Sequence, residues 1–173
     1  MKKLFALILA VALMLGCTAL AEENTFNWEE IAPQVEAMGL SGQFYTFEEI
    51  ALQIFIPDGF VDAAVPDDSH IGYFQAEDGS TVGVMYVQAD GMDLDTYASK
   101  LEGVGAADIE KGVLNGMPCV TYEMPEKKSI NIAFATEAGY ILEAYCGPIN
   151  SEEEKTPAGI VLASIQPYTE EAE

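Results

Sequence analysis

Leu114-Asn115-Gly116-Met117-Pro118-Cys119-Val120-Thr121-Tyr122-Glu123-Met124, then Ile130 to Thr136 and Tyr140 to Cys146, is the stretch whose reading decides the fold. Asn115-Gly116 demands positive φ at both turn residues and so predicts a tight hairpin between Ile109–Leu114 and Met117–Met124. Short connections at 125–128 and 137–139 then predict an antiparallel meander of three strands. Ile130-Asn131-Ile132-Ala133-Phe134-Ala135 is apolar at nearly every position. A sheet with one wet face would alternate more cleanly, so both faces of this one are expected to be covered.

Working outward, His70–Ala76 and Thr81–Gln88 flank an Asp78-Gly79 turn and form another hairpin. Upstream, Gln43–Phe47 and Ile50–Ile56 are rich in aromatic and β-branched residues, separated by Glu48-Glu49 and closed by Pro57-Asp58-Gly59. Val61–Ser69 carries no clear pattern. Asp93 is placed to cap a helix over about Leu94–Glu102, with Leu94, Tyr97, Ala98 and Leu101 on one face. A first helix is expected after Asn27, with Trp28, Ile31, Val35 and Met38 as its stripe, Pro33 either kinking it or opening its regular part, and Gly39 as its end. The last is expected to start at Thr156 and Pro157 and run to about Ile165. These elements predict an α+β fold, an antiparallel sheet of about six to eight strands with helices packed on both faces. The division reads 1–21 leader, 22–42 acidic segment and N-terminal helix, 43–167 single α/β/α domain, and 168–173 acidic tail, with residues 22–26 expected to be loose.

The leader is the most specific feature. Lys2 and Lys3 precede an apolar run from Leu4 to Leu15, too short to span a bilayer, and Ala19-Leu20-Ala21 supplies small residues for a signal peptidase. Cleavage before Glu22 is expected. Met14-Leu15-Gly16-Cys17 offers a second reading, a lipobox that would acylate Cys17, although Met and Leu are poor matches there and no Ser/Gly-rich tether follows. Both readings place the protein outside the cytoplasmic membrane, secreted or at the cell surface. The membrane is a partner only if Cys17 is lipidated.

The 173 residues include seven lysines, no arginine, 29 acids and one histidine, a formal net charge of −22. Such a chain has no basic surface for a phosphate backbone, so nucleic acid is excluded as a natural partner. One histidine cannot make a multi-histidine metal site. His70, in Asp67-Asp68-Ser69-His70, is the candidate general base, but no serine or cysteine nucleophile can be matched to it by spacing, and a turn histidine at a strand start explains it as well. Asp90, Asp93 and Asp95 are rich in oxygen but lack the calcium-loop spacing. Glu152-Glu153-Glu154 reads as a solvated face. Tyr45, Phe47, Phe55, Tyr73, Phe74 and Tyr86 could line a groove, though most suit a core.

Cys119 and Cys146 are an even pair in an exported chain, which raises a disulfide. The meander argues against one. If 124 pairs with 129 and 136 with 140, Cys119 lies opposite Phe134 and Phe134 opposite Leu142. Cys146 then falls one strand beyond that row and four residues along it, well past the ~7 Å that a disulfide can bridge. Two buried free thiols are expected.

The element order, with Asp93-Leu94-Asp95-Thr96-Tyr97-Ala98, Leu114-Asn115-Gly116-Met117-Pro118, Val120-Thr121-Tyr122-Glu123, Tyr140-Ile141-Leu142 and Leu162-Ala163-Ser164-Ile165, resembles the PsbP-like fold family over about residues 43–167. That fold is shared by an extrinsic photosystem II subunit, a Ran-GTPase-binding factor and many exported bacterial proteins. The resemblance implies a non-catalytic binding or accessory module whose partner is another envelope or secreted protein. It carries over no catalytic, cofactor-binding or metal-binding residue and no cofactor. The alternatives are an envelope lipoprotein anchored through Cys17, acting as tether or chaperone, and a hydrolase using His70 with nearby carboxylates.

Overall fold

Residues 24–87, 91–136 and 139–168 are those described in the computed structural model; they hold eleven strands, three α-helices and a short 3-10 helix at Glu48–Ile50, so the strand expected from Ile50 starts at Leu52. The leader with Cys17, Asp90 and the last five residues lie outside the described residues. In chain order the elements are β1 (Asn24–Phe26), α1 (Trp28–Ala37), β2 (Gly42–Phe47), β3 (Leu52–Pro57), β4 (Phe60–Asp62), β5 (His70–Ala76) and β6 (Thr81–Val87). Then come α2 (Leu94–Gly103), β7 (Ala107–Leu114), β8 (Met117–Met124), β9 (Ser129–Ala135), β10 (Ile141–Gly147), α3 (Glu152–Ala163) and β11 (Gln166–Pro167).

The main sheet has eight strands in the order β1-β7-β8-β9-β10-β6-β5-β4. The expected meander forms its centre, with Met124 opposite Ser129, Cys119 opposite Phe134 and Phe134 opposite Leu142. Side-chain alternation then sorts the core into two faces. Val120, Tyr122, Ala133 and Ile141 meet Tyr97, Ala98 and Leu101 of α2 on one face. Cys119, Ile130, Ile132, Phe134, Leu142, Ala144 and Cys146 meet Val161, Leu162, Ile165, Ile54 and Ile56 on the other. Helices therefore cover opposite faces of the sheet, as the doubly apolar strands required.

Five further expectations are corrected. The first hairpin, β2–β3, pairs with no strand of the main sheet; with β11 it makes a separate three-stranded sheet. This small sheet lies on the α3 side, where Phe47 presses on Gly72 so closely that a Cβ there would come within 2.6 Å of its ring. Asn24–Phe26 is not loose but a strand, parallel to β7 in an otherwise antiparallel sheet. Phe60–Asp62, in the stretch without pattern, adds an edge strand to β5. The last helix begins at Glu152, not Pro157. Ser151 caps it, its Oγ accepting from Glu154 N at 3.4 Å, while Glu154 Oε2 accepts from Asn150 N at 2.8 Å. Pro157 is tolerated inside the helix at the cost of one backbone hydrogen bond. In α1, Met38 lies beyond the helix end and is 45% exposed, whereas Val35 is buried against Phe55 and Ile160.

Asn115 joins these parts. At φ +50° it makes the β7–β8 turn with Gly116 at φ +82°. Its Oδ1 accepts from Trp28 N at 2.6 Å, and its Nδ2 donates to Ile165 O at 2.7 Å and Ala163 O at 3.4 Å. Asn115→Gly keeps the turn but removes these bonds, and should cost about 2–3 kcal/mol at roughly 1 kcal/mol per bond. Asn115→Ala adds about 1–2 kcal/mol for a β-carbon in the left-handed region. Urea unfolding of the two variants checks the order; equal losses would mean that the turn conformation contributes nothing separate.

Candidate functional site

The only histidine sits at the start of β5, where a bulge between His70 and Gly72 turns His70 and Tyr73 to the same side of the sheet. Its Nδ1 is 2.9 Å from Asp67 Oδ1 and its Nε2 3.0 Å from Tyr145 OH. Tyr145 belongs to β10, and the pairing Tyr73–Gly83–Tyr145 puts β6 between it and β5. The phenol reaches across because residue 83 is glycine. A Cβ there would lie 2.3 Å from the tyrosine ring. Asp67 also accepts from Ser69 N and Ser69 Oγ; these bonds and the one from His70 hold its carboxyl well below the usual range. The imidazole is 6% exposed with both nitrogens engaged. The expected His70 site is therefore an Asp–His–Tyr chain that pins the 63–69 loop to the sheet. Ser69 bonds to Asp67, not to the imidazole, so the arrangement is not that of a nucleophile and its base.

A second polar cluster lies on the same face under α2. Tyr122 OH and Tyr97 OH both donate to Glu143 Oε2, at 2.5 and 2.9 Å. Burial, then the Glu143 charge, pushes both phenols far above their ordinary range. The carboxylate is thus satisfied from within the chain. Sequence reasoning missed it, since helix α2 and strands β8 and β10 supply one group each.

The other predicted residues are dispersed. Asp93 caps α2, accepting from Thr96 N at 2.7 Å, and Asp95 takes Lys111 Nζ at 2.7 Å. Among the described residues no three His, Cys, Asp or Glu side chains gather where they could hold a metal ion. Glu152 bonds to Lys155 at 3.2 Å, so the acidic run opens α3 and is more than a solvated face. Phe47, Phe55 and Phe74 are core residues, Tyr73 and Tyr86 are half-buried, and Tyr45 is exposed against Phe47 and Phe74.

The concavity lies on the opposite face. Helix α3 packs chiefly on β9, β10 and β3, leaving β7 and β8 beside an open cleft with about 90 Å³ accessible to water centres. Cys119, Ile130 and Ile132 line the sheet side and Gly159, Leu162 and Ala163 the helix side. Phe26 of β1, Thr121, Glu110 and Glu123 complete it. Burial, then the neighbouring Asp108 charge, raises the Glu110 carboxyl above its ordinary value. Glu123 takes Lys155 Nζ at 2.8 Å, which with the Glu152 contact raises the lysine and keeps it charged.

The overall fold matches a known structure. Cyanobacterial PsbP from Synechocystis superposes with a TM-score of 0.55, at 12% identity, over 74% of this chain and 93% of that one. The chain has a PsbP-like fold. The Ran-binding protein Mog1p of Saccharomyces cerevisiae gives a TM-score of 0.42, at 14% identity, over 73% of this chain and 95% of that one. No protein-family model matches the chain, and neither does any curated protein sequence. No helix among the described residues is long and apolar enough to cross a membrane.

Within this PsbP-like domain both described thiols are buried and unbridged, and the meander register separates them as the spacing required. Burial pushes Cys119 up to about 11 and Cys146 further, so neither is a thiolate at neutral pH. A Cys17→Ser chain should release no thiol to Ellman's reagent at pH 8 until urea unfolds it; a fast-reacting native thiol would contradict the packing. Tyr145 is pushed up to about 12, chiefly by burial. These acids ionise later in the folded chain than when exposed at 9.0 (Cys119) and 10.0 (Tyr145). Their contribution to stability is therefore complete below pH about 9 and lost as pH rises towards about 12. The urea midpoint should fall across that window; a flat profile would refute the burial of these groups.

Proposed function

We propose that this protein is an exported, non-catalytic binding or accessory domain of a bacterial envelope or secreted fraction. The observation that carries the reading is the α3 cleft: open and largely apolar, with Glu110 and Glu123 among its few polar groups and its one thiol, Cys119, held protonated by burial. The polar chains that could do chemistry are engaged within the fold, Asp67–His70–Tyr145 as a loop clamp with Asp67 exposed, and Glu143 under two phenols. Export rests on the leader, with cleavage before Glu22 and a partner that is itself an envelope or secreted protein. Acidity keeps the domain soluble and disfavours anionic polymers.

The test is cross-linked capture from native envelope and medium. One strongly enriched protein, held less well as salt rises, is the expected result. Salt-insensitive capture would remove charge as the driver, and no protein above background would count against the accessory role. Sequencing of the mature N-terminus should begin at Glu22; a fatty acid on Cys17 would make the protein a tethered one instead.

A further inference from the structure

Resting on that reading, we infer that the α3 cleft takes an apolar side chain presented by a protein segment whose flanking residues are lysine or arginine. The floor and the helix wall are the apolar part of the argument. Cys119, Ile130 and Ile132 are buried, and Leu162 faces them from α3. An aliphatic side chain set between them leaves water without orphaning any polar group.

The flanking charge follows from what the chain itself does not supply. Glu110 and Glu123 stand on neighbouring strands at the cleft. Glu123 holds Lys155, which Glu152 also holds. Lys111, next to Glu110 in sequence, points to the other face and pairs with Asp95. Glu110 has no ion-pair partner among the described residues. With seven lysines, no arginine and 29 acids, the chain is short of cations to give it one. An anionic amphiphile would bring its head group against these acids, and a neutral one would leave Glu110 as it is. A cation beside an inserted apolar group satisfies both parts of the cleft, and a continuing polypeptide leaves through the open side.

Amide NMR of the full chain tests this through Gly112 and Gly159, which line the sheet and helix sides of the cleft. The probe is acetyl-Lys-Leu-Leu-Lys-amide. Saturable movement of both glycine signals is expected, with Gly79, in a distant turn, unmoved. Replacing the leucines by serine should abolish it, and replacing the lysines by glutamate should weaken it about tenfold or more. Glu110→Gln should weaken the lysine peptide about threefold, and Glu110→Lys should reverse the preference between lysine and glutamate peptides. Both substitutions lie on an outer strand, and an unchanged Gly83 signal under Tyr145 reports an intact fold. No saturable movement, equal binding of lysine and glutamate peptides, or movement centred on other glycines would overturn the inference. A partner captured from the envelope that cross-links to another face would overturn it while leaving the accessory role standing. Peptide binding without any captured partner would do the reverse.

Discussion

One side chain holds together three parts of the chain far apart in sequence. Asn115 accepts from Trp28 N, donates to the carbonyls of Ala163 and Ile165, and through its backbone N–H donates to Phe26 O at 2.8 Å. From the left-handed turn conformation its side-chain amide reaches Trp28, Ala163 and Ile165, a role that glycine, equally tolerant of positive φ, could not fill. The anchoring sets β1 beside β7 and fixes the end of α3 over the sheet. Ser164 continues the anchoring one residue on. Its buried hydroxyl accepts from Phe55 N at 2.8 Å and donates to Val161 O at 2.6 Å, tying the same helix end to the small sheet. Phe26, Leu162 and Ala163 line the cleft, so its shape depends on these few hydrogen bonds.

The main sheet is wider than any one helix, and this decides which parts of it stay open. On the α2 face the helix shields β7 to β9, while the β5–β6–β10 side is closed by side chains instead. There Gly83 makes room for Tyr145, and the Asp67–His70 pair brings the 63–69 loop against it. On the other face the small sheet lies over β5 and β6 and α3 over β9 and β10. The outer strands β7 and β8 are what remains, with only the short β1 at the edge. The cleft is thus a consequence of layer widths and not of a missing side chain.

Much of this was legible in local pattern, and the rest was not for identifiable reasons. Asn115-Gly116 and the short meander connections set the register so tightly that the fate of Cys119 and Cys146 followed from counting. Asp93 was legible as a cap because a cap acts within three residues. The start of α3 was missed because Pro157 competed as a first-turn signal, although Ser151 and Glu154 have the spacing of a capping pair. β1 is three residues long and too short to alternate. The separate small sheet could not be foreseen, since β11, which completes it, is only two residues. The polar clusters depend on contacts such as His70 to Tyr145, 75 residues apart, and the cleft depends on tertiary layering, for which no spacing rule exists.

The placement of charge separates acids that serve a structural partner from Glu110, which stands at the cleft without an ion pair among the described residues. Asp93 is used by a helix cap, Asp67 by a loop clamp, Glu143 by two phenols and Glu123 by Lys155. Each is held by a donor from the chain itself, the exposed Asp67 and Asp93 as well as the less exposed Glu123 and Glu143. Glu110 has partial burial and a like charge at Asp108 but no ion pair among the described residues to offset them. A chain so rich in acids could carry glutamine there with less electrostatic strain and no loss of packing. That the cost is borne at the cleft, and not on the solvated surface, is what distinguishes Glu110 from acids that serve only solubility.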